Sequence, residues 1–351
     1  MANVKLADIA LRAGVHVSTA SRALDHTKED LVSLETRQRV LAAASELGYR
    51  RDVIASGLRS GRTGTIGIVV PDLSNPFYGP VIRGVENTLD DREMMALVAE
   101  TRSKGKHFNR VLDHLRQRRV DAIVMTAARA GDQEVLLEAA RHVPIVLAVR
   151  QLEGSGLPHV AHDGEQGGAI AAKHLLAHGH ERLAVLRGPS FVSSFEERTR
   201  GFTAQVRAAG LEPIPFEEEA AASTVEEGAR LSEIMLKDPL MRPTALFAHN
   251  DEMAIGALQS IRDLGLRCPD DISVVGYDDA RFAAHANPPL TTLHLPAYRI
   301  GRLAAEMALA VVFDDHMGPA SIIIKPEIVV RDSTAQVAGT AGRQRGPQVG
   351  R

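Results

Sequence analysis

The strongest constraint on this chain is a pattern that begins at Thr65. Short apolar, β-branched runs alternate with stretches of helical period. They are IGIVV (66–70), a helix near Gly79–Asp91, MMALVA (94–99), a helix near Phe108–Arg118, DAIVM (121–125), a helix near Asp132–Arg141 and PIVLAV (144–149). Alternation at this spacing means βαβ units, and so a parallel sheet with both faces covered. The alternation restarts after Asp163. A helix near Gln166–His178 leads to RLAVL (182–186), helices near Glu197–Ala209 and Val225–Leu236, ALFAH (245–249), a helix near Glu252–Leu264 and SVVGY (273–277). Two successive α/β series predict two lobes with a cleft between them. The last strands, TTLHL (291–295) and SIIIKPEIVVR (321–331), bracket a helix near Tyr298–Val312. After Thr334 the chain has no Leu or Ile, and 335–351 is expected to be a disordered tail.

Ahead of the first strand the texture is helical. Leu6, Ile9, Ala10 and Ala13 recur at helical spacing and predict a helix over Leu6–Ala13, stopped by Gly14. Val15 can plug the turn, and a second helix runs from Val17 to Leu24, where Ala20 and Ala23 allow close approach. Ser33 opens a third helix with Val40, Leu41, Ala44 and Leu47 on one face, stopped by Gly48. Two short helices around a Gly-containing turn match a helix-turn-helix, whose second helix would enter the DNA major groove. From these residues alone an ordinary helical hairpin fits equally well. Residues 49–65 are basic and glycine-bearing, a linker in which Asp52 can cap a short helix over Val53–Leu58. Gly57 weakens that helix by up to about 1 kcal/mol relative to Ala, and so short a helix does not stand alone in water.

At 351 residues the chain suits two or three domains. Its one cysteine, Cys268, excludes an intramolecular disulfide and fits a reducing cytosol. No apolar run approaches the roughly eighteen residues of a membrane span, and no signal peptide is evident, so a cytoplasmic protein is expected. Residues 1–62 hold ten Lys/Arg against seven Asp/Glu, while the remainder holds thirty-one against thirty-seven. That asymmetry is modest, because phosphate binding needs local clustering. Enzyme signatures are missing: no Walker-type loop, no HExxH, no GxSxG. His174, His178 and His180 cluster in KHLLAHGHERL, and structural roles fit them better than metal binding, with His180 satisfying helix carbonyls. No metal, cofactor or catalytic residue is expected.

The carboxyl ends of the predicted strands are more informative, because open α/β sheets bind ligands there. Asn75, Pro76 and Phe77 follow the first strand, Arg198 opens a helix, Asn250 and Asp251 follow ALFAH, and Asp278 and Asp279 follow SVVGY. A guanidinium, amides, carboxylates and an aromatic face on one cleft can hydrogen-bond and stack a small polyol ring.

The chain resembles the lactose/galactose-repressor family of bacterial transcription regulators from Val4 to Thr334. The motifs are LADIALRAGVHVSTASRAL, TRQRVLAAASELGYR, LRSGRTGTIGIVVPDLSNPF, HLLAHGH, ERTRGF, FAHNDEMAIGAL, DISVVGYDD, PPLTT and VVRDST, in that order. The resemblance implies an all-α helix-turn-helix DNA-binding domain (1–50) and a hinge helix and linker (51–62). A two-lobed, periplasmic-binding-protein-like α/β effector domain (63–334) follows. Lobe 1 would be 63–162 with 292–322, and lobe 2 would be 163–291 with 323–334. It implies a homodimer that binds a pseudo-palindromic double-stranded operator, usually as a repressor, and is switched by a small effector such as a sugar or sugar derivative. By position, Val17, Ser18 and Arg22 would face base edges, Thr19 and Ser21 would serve the helix face or phosphates, and Leu58 would wedge into the minor groove. Asn75, Phe77, Arg198, Asn250 and Asp278 stand at effector positions.

The sequence departs from the family's pattern at informative places. His16 stands where a serine cap is usual, and Arg51-Asp52 where Pro-Asn is usual. Val149, Ser223 and Leu295 replace a common Asp, an aromatic and an often polar residue in the cleft, and Phe77, Phe191 or Phe195 would then supply the stacking. Two other classes compete. A transport-type binding protein shares the sensor fold but would lack the N-terminal helices, and an enzyme would need a nucleophile–base pair or a phosphate loop.

Overall fold

The structure, a computed structural model, describes residues 4–24, 31–49, 62–102, 105–239, 242–313 and 320–337. The chain divides into two compact units, Met1–Thr63 and Gly64–Arg351.

The first unit has helices α1 (Leu6–Ala13), α2 (Val17–Ala23) and α3 (Leu34–Glu46). Gly14 ends α1 at φ 67°, and the next amide, Val15 N–H, returns to the Ala10 carbonyl at 2.9 Å. This left-handed turn is accessible to glycine at little cost and lets α2 fold back. His16 does cap α2: its Nδ1 accepts from the Ser18 amide at 3.3 Å. Ser33 caps α3 by accepting from the Thr36 amide at 3.4 Å. Ile9, Ala10, Ala20, Ala23, Val40, Ala43 and Ala44 form the core. Leu41, expected on that face, is instead 42% exposed. At about 100° per residue, positions 40, 43, 44 and 47 share a face and 41 turns away from it. The hinge expected over 51–62, Leu58 included, lies outside the described residues except for Arg62.

The second unit carries two sheets. The first lobe has β1 (Thr65–Val70), α4 (Tyr78–Asp90), β2 (Met95–Glu100), α5 (Gly105–Gln117), β3 (Ala122–Met125), α6 (Gln133–Ala140), β4 (Ile145–Val149) and β5 (His159–His162). The second has α7 (Gly164–Ala177), β6 (Leu183–Leu186), α8 (Ser193–Ala208), α9 (Val225–Lys237), β7 (Ala245–Ala248), α10 (Asp251–Asp263), β8 (Ser273–Asp278) and β9 (Thr291–His294). α11 (Ala297–Phe313), β10 (Ser321–Ile324) and β11 (Glu327–Val329) follow. The sheet orders are β10-β5-β4-β3-β1-β2 and β11-β9-β8-β7-β6. Within them only the β11–β9 pair is antiparallel.

Several expectations need correction. β5 was not foreseen, because HVAH offers two apolar residues between histidines and too short a pattern. The expected lobe boundary put residue 292 onward in lobe 1, but β9 pairs with β8 in the second sheet. Its threonines are satisfied there: Thr292 donates to Asp251 at 2.5 Å and the Thr291 amide to Ser333 Oγ at 2.8 Å. Residues 321–331 are two strands in different sheets, not one, and Ile323 and Ile324 remain with lobe 1. Pro326 lies between them, where a residue without an N–H cannot continue a ladder. The chain thus crosses between lobes three times, after β5, after β9 and after β10. Residues 335–337, expected to be disordered, are held against the second lobe. The Ala335 amide bonds Ser273 Oγ at 3.1 Å and the Val337 amide bonds the His178 carbonyl at 3.0 Å.

Close helix pairing orients the lobes' binding edges. α7 packs on α8 through Gly168 and Gly201, where an added Cβ would collide with the Arg198 and Glu165 carbonyls respectively. Replacing a helical Gly by Ala ordinarily gains up to about 1 kcal/mol. Here the sign reverses. Gly168→Ala should lower stability by about 1–3 kcal/mol through overpacking, read as a lower denaturation midpoint in urea. An unchanged or raised midpoint would mean the helices are not in such close contact.

Candidate functional site

The expected residues converge. Asn75, Phe77, Arg198, Asn250 and Asp278 line one cavity of about 30 Å³, with Tyr78, Val149, Arg150, Ser194, Phe195 and Ser223. A second cavity of about 80 Å³ adjoins it, sharing Asn75, Tyr78, Arg150 and Ser223, and Phe191 borders only this outer one. Leu295 lines neither, but borders a third cavity of about 410 Å³ together with Phe77 and Asp278. The first two volumes fall below the roughly 300–1,000 Å³ of an ordinary ligand pocket, so the lobes stand close together. Ala130 N–H donates to the Phe191 carbonyl at 3.1 Å, and Ser193 Oγ to the Gln151 carbonyl at 3.2 Å, across the cleft.

Asn75, Phe77, Asn250 and Asp278 come from strand ends; Arg198, expected to open its helix, instead lies in the second turn of α8, which starts at Ser193. Asn75 and Phe77 lie between β1 and α4, where Asn75 Oδ1 accepts from the Phe77 amide at 2.9 Å. Phe77 meets Tyr78 edge-on, with ring centroids 5.3 Å apart. Asn250 caps α10 by accepting from the Met253 amide at 2.9 Å, and its Nδ2 donates to the Ser223 carbonyl at 3.0 Å. Any ligand bond to that amide nitrogen competes with Ser223. The backbone is strained at two strand ends that reach the cavity: Val149 has φ 71° and Asp278 has φ 113°. Such values are costly for a β-branched or acidic residue and persist where the surroundings enforce them.

Arg198 is the centre. It is 2% exposed, donates to the His249 carbonyl and to His162 Nε2 (3.1 Å), and lies 3.7 Å from Asp278 Oδ1. Its guanidinium also stacks on Tyr277, 3.5 Å from the ring centroid. His162 belongs to lobe 1 and Arg198 to lobe 2, so this contact bridges the cleft. Both histidines must be neutral: burial and then Arg198 hold their pKa values well below the usual range. Burial pushes Asp278 up to about 7, against the pull of Arg198 and Arg150. Asp251, named with Asn250 at the same strand end, is not in the cavity. Its buried carboxyl accepts from Thr292 and from the Ala280 amide (2.7 Å), pinning the loop that carries Asp278. Asp279 instead pairs with Arg331 at 2.6 Å.

Five residues of the site were missed in the sequence: Tyr78, Arg150, His162, Ser194 and His249. Arg150 directly follows β4 and His249 directly follows β7, so the strand-end rule that found Asp278 reaches them too. His162 was hidden because its strand was. The histidine cluster has structural partners: His174 bonds Thr334 (3.0 Å), His178 the His174 carbonyl (2.8 Å), and His180 Thr244 (3.0 Å) and Ser273 (3.1 Å). Both of the last two meet carbonyls of α7: the His178 ring bonds that of His174, and the His180 amide donates to that of Leu175 at 3.2 Å. Cys268 is half-buried, and burial raises its pKa to about 12. Among the described residues no group of three or more His, Cys, Asp or Glu could hold a metal ion, and no helix is long and apolar enough to cross a membrane.

In the first unit, Val17 is 41% exposed, Ser18 and Arg22 are exposed, and Thr19 and Ser21 are half-buried. Ala20 and Ala23 turn inward. α2 therefore offers Val17, Ser18 and Arg22 outward as one surface.

The Asp278 shift has a measurable consequence. The native state keeps a proton that the unfolded chain releases near pH ~4. Burial of Asp278 therefore costs nothing below that pH, and the cost grows as pH rises toward about 7. Asp278→Asn removes this pH dependence. The melting temperature of the variant minus that of wild type should increase between about pH 5 and about pH 8. A constant difference would place the Asp278 pKa outside that window.

Comparison with known proteins bears on both units. Residues 5–52 match the family profile of bacterial regulatory proteins, lacI family, and residues 172–334 match a periplasmic binding protein-like domain. The HTH-type transcriptional repressor PurR of Aliivibrio fischeri (strain MJ11) is 33% identical over 344 residues, covering 95% of this chain and 98% of that one. The HTH-type transcriptional repressor CytR of Escherichia coli (strain K12) is 31% identical over 327 residues, covering 93% and 95%. The crystal structure of the lac repressor dimer bound to operator and the anti-inducer ONPF aligns with a TM-score of 0.84 at 26% identity, over 95% of this chain and all of that one. The transcriptional regulator CelR–cellobiose complex aligns with a TM-score of 0.70 at 28% identity, covering 94% and 99%. The chain belongs to the lacI family of bacterial regulatory proteins: a DNA-binding transcriptional regulator with a helix-turn-helix domain and a periplasmic-binding-protein-like effector domain.

Proposed function

We propose that this protein is a cytoplasmic, homodimeric repressor that holds a pseudo-palindromic operator and is switched by a sugar or sugar derivative in the cleft. The observation that carries the effector reading is the meeting of Asn75, Phe77, Asn250 and Asp278, from three strand ends, and Arg198, from α8, around one cavity. Arg198 and Asp278 supply a planar donor and a carboxyl acceptor for ring hydroxyls, and Phe77 and Phe195 supply apolar faces. The solved relatives that support this reading are a dimer on operator and a cellobiose complex.

Val17 and Ser18 at the start of α2, with Arg22 one turn on, read base edges. The Arg22 fork matches guanine O6 and N7. Thr19 and Ser21 hold the helix in place or reach phosphates. Leu58 enters the minor groove when the two hinges fold together. The two cavities lined by Arg150 are smaller than ordinary ligand pockets, so an effector held there binds with a change in lobe spacing. It shifts the lobe populations only by its difference in affinity for the two arrangements. One arrangement brings the hinges together and the other separates them.

Two measurements test this. Arg22→Ala should cost about 1–3 kcal/mol on the selected operator and relax preference at one base pair. An equal loss on every sequence would assign Arg22 to phosphate instead. Asp278→Ala should leave operator binding intact and abolish release or tightening by any effector that stabilises the wild type in a thermal-shift panel. A normal response would remove Asp278 from the effector site.

A further inference from the structure

We infer that the effector carries an anionic group, a carboxylate or a phosphate, held between Arg150 and Arg198. This rests on the cleft being the effector site and adds to it the charge of the ligand.

Arg150 is the informative residue. It follows β4, is 8% exposed, and lines both cavities. Its guanidinium donates to the Ala128 carbonyl at 3.2 Å and to the Tyr78 hydroxyl at 3.4 Å, both uncharged partners. Burial holds the Tyr78 phenol in its neutral form. Among the described residues no carboxylate pairs with Arg150. An arginine so deeply buried is ordinarily matched by a carboxylate, because its charge cannot be released and it presents five donors.

The balance of the inner cavity sharpens the point. Arg198 and Arg150 are two fixed positive charges. The only carboxyl lining the same cavity is Asp278, which lies 3.7 Å from Arg198 and is itself pushed up to about 7 by burial. The neighbouring imidazoles of His162 and His249 are neutral. Asp72 and Glu252 border only the outer cavity, and burial raises Glu252 to about 7. The inner cavity therefore holds two cations and at most one anion. A neutral polyol entering it would leave that excess uncompensated in a dry, low-dielectric space. A carboxylate or phosphate offers oxygens at the geometry of the guanidinium fork and neutralises it.

The test uses the full chain in a thermal-shift assay at fixed ionic strength, followed by calorimetric titration. The probes are matched pairs: glucose 6-phosphate with glucose, galacturonate with galactose, and uridine 5′-monophosphate with uridine. At least one anion should raise the melting temperature while its neutral partner does not, and the responding pair tells phosphate from carboxylate. Arg150→Gln should weaken that anion at least tenfold, while Arg150→Lys, which keeps the charge but loses the fork, should weaken it less than Arg150→Gln does. The wild-type comparison stands even if Arg150→Gln does not fold. Neutral members binding as tightly as anions, no anion binding, or full affinity in Arg150→Gln would each overturn the proposal. Neutral binding that Asp278→Ala abolishes would leave the effector site standing and remove only the charge. Binding untouched by Asp278→Ala would remove the site as well.

Discussion

A buried guanidinium, that of Arg198, sits where the two lobes meet, and most of the site follows from accommodating it. A charge at 2% exposure is costly unless its donors are satisfied and its face is covered. The His249 carbonyl, His162 Nε2 and the Asp278 carboxyl meet its edge, and the Tyr277 ring meets its face. Each partner is then constrained. Both histidines must stay neutral, since Nε2 of His162 has to accept and Nδ1 of His249 already accepts from the Gly188 amide at 2.9 Å. Asp278 lies 3.7 Å from Arg198, at ion-pair distance without a direct hydrogen bond.

The supporting packing has the same logic. α8 can carry Arg198 into the junction only because Gly168 of α7 lets the backbones touch at the Arg198 carbonyl. Asp251 is buried for the loop and not for the ligand: it bonds Thr292 and the Ala280 amide, which fixes the strained turn that presents Asp278. A change in lobe spacing must break the His162–Arg198 contact or carry both residues together.

Much of this was legible in the sequence. The helical period of 6–13, the Gly14 turn and the βαβ alternation from Thr65 each reflect local physics: burial of one face, a left-handed backbone, and strands bounded by helices. The strand-end rule named Asn75, Phe77, Asn250 and Asp278, and Arg198 was named with them at the expected start of the helix that follows β6. Failures came where local pattern is silent. HVAH has too few apolar residues to announce a strand, and Leu41 is apolar but faces outward. β9 carries no mark of which sheet it joins, because pairing there is decided by Ser333 and Asp251, residues distant in sequence.

The sequence by itself determined the order of elements apart from β5 and the division of 321–331, the two-lobe architecture, the family, and which residues end most of the strands. Those follow from period, turn chemistry and motif, which act over a few residues. Only the tertiary structure decided that Arg150 is a buried cation with neutral partners, that His162 reaches across to Arg198, and that Asn250 is already bonded to Ser223. These facts depend on desolvation and on distances between residues tens of positions apart, which no local pattern encodes.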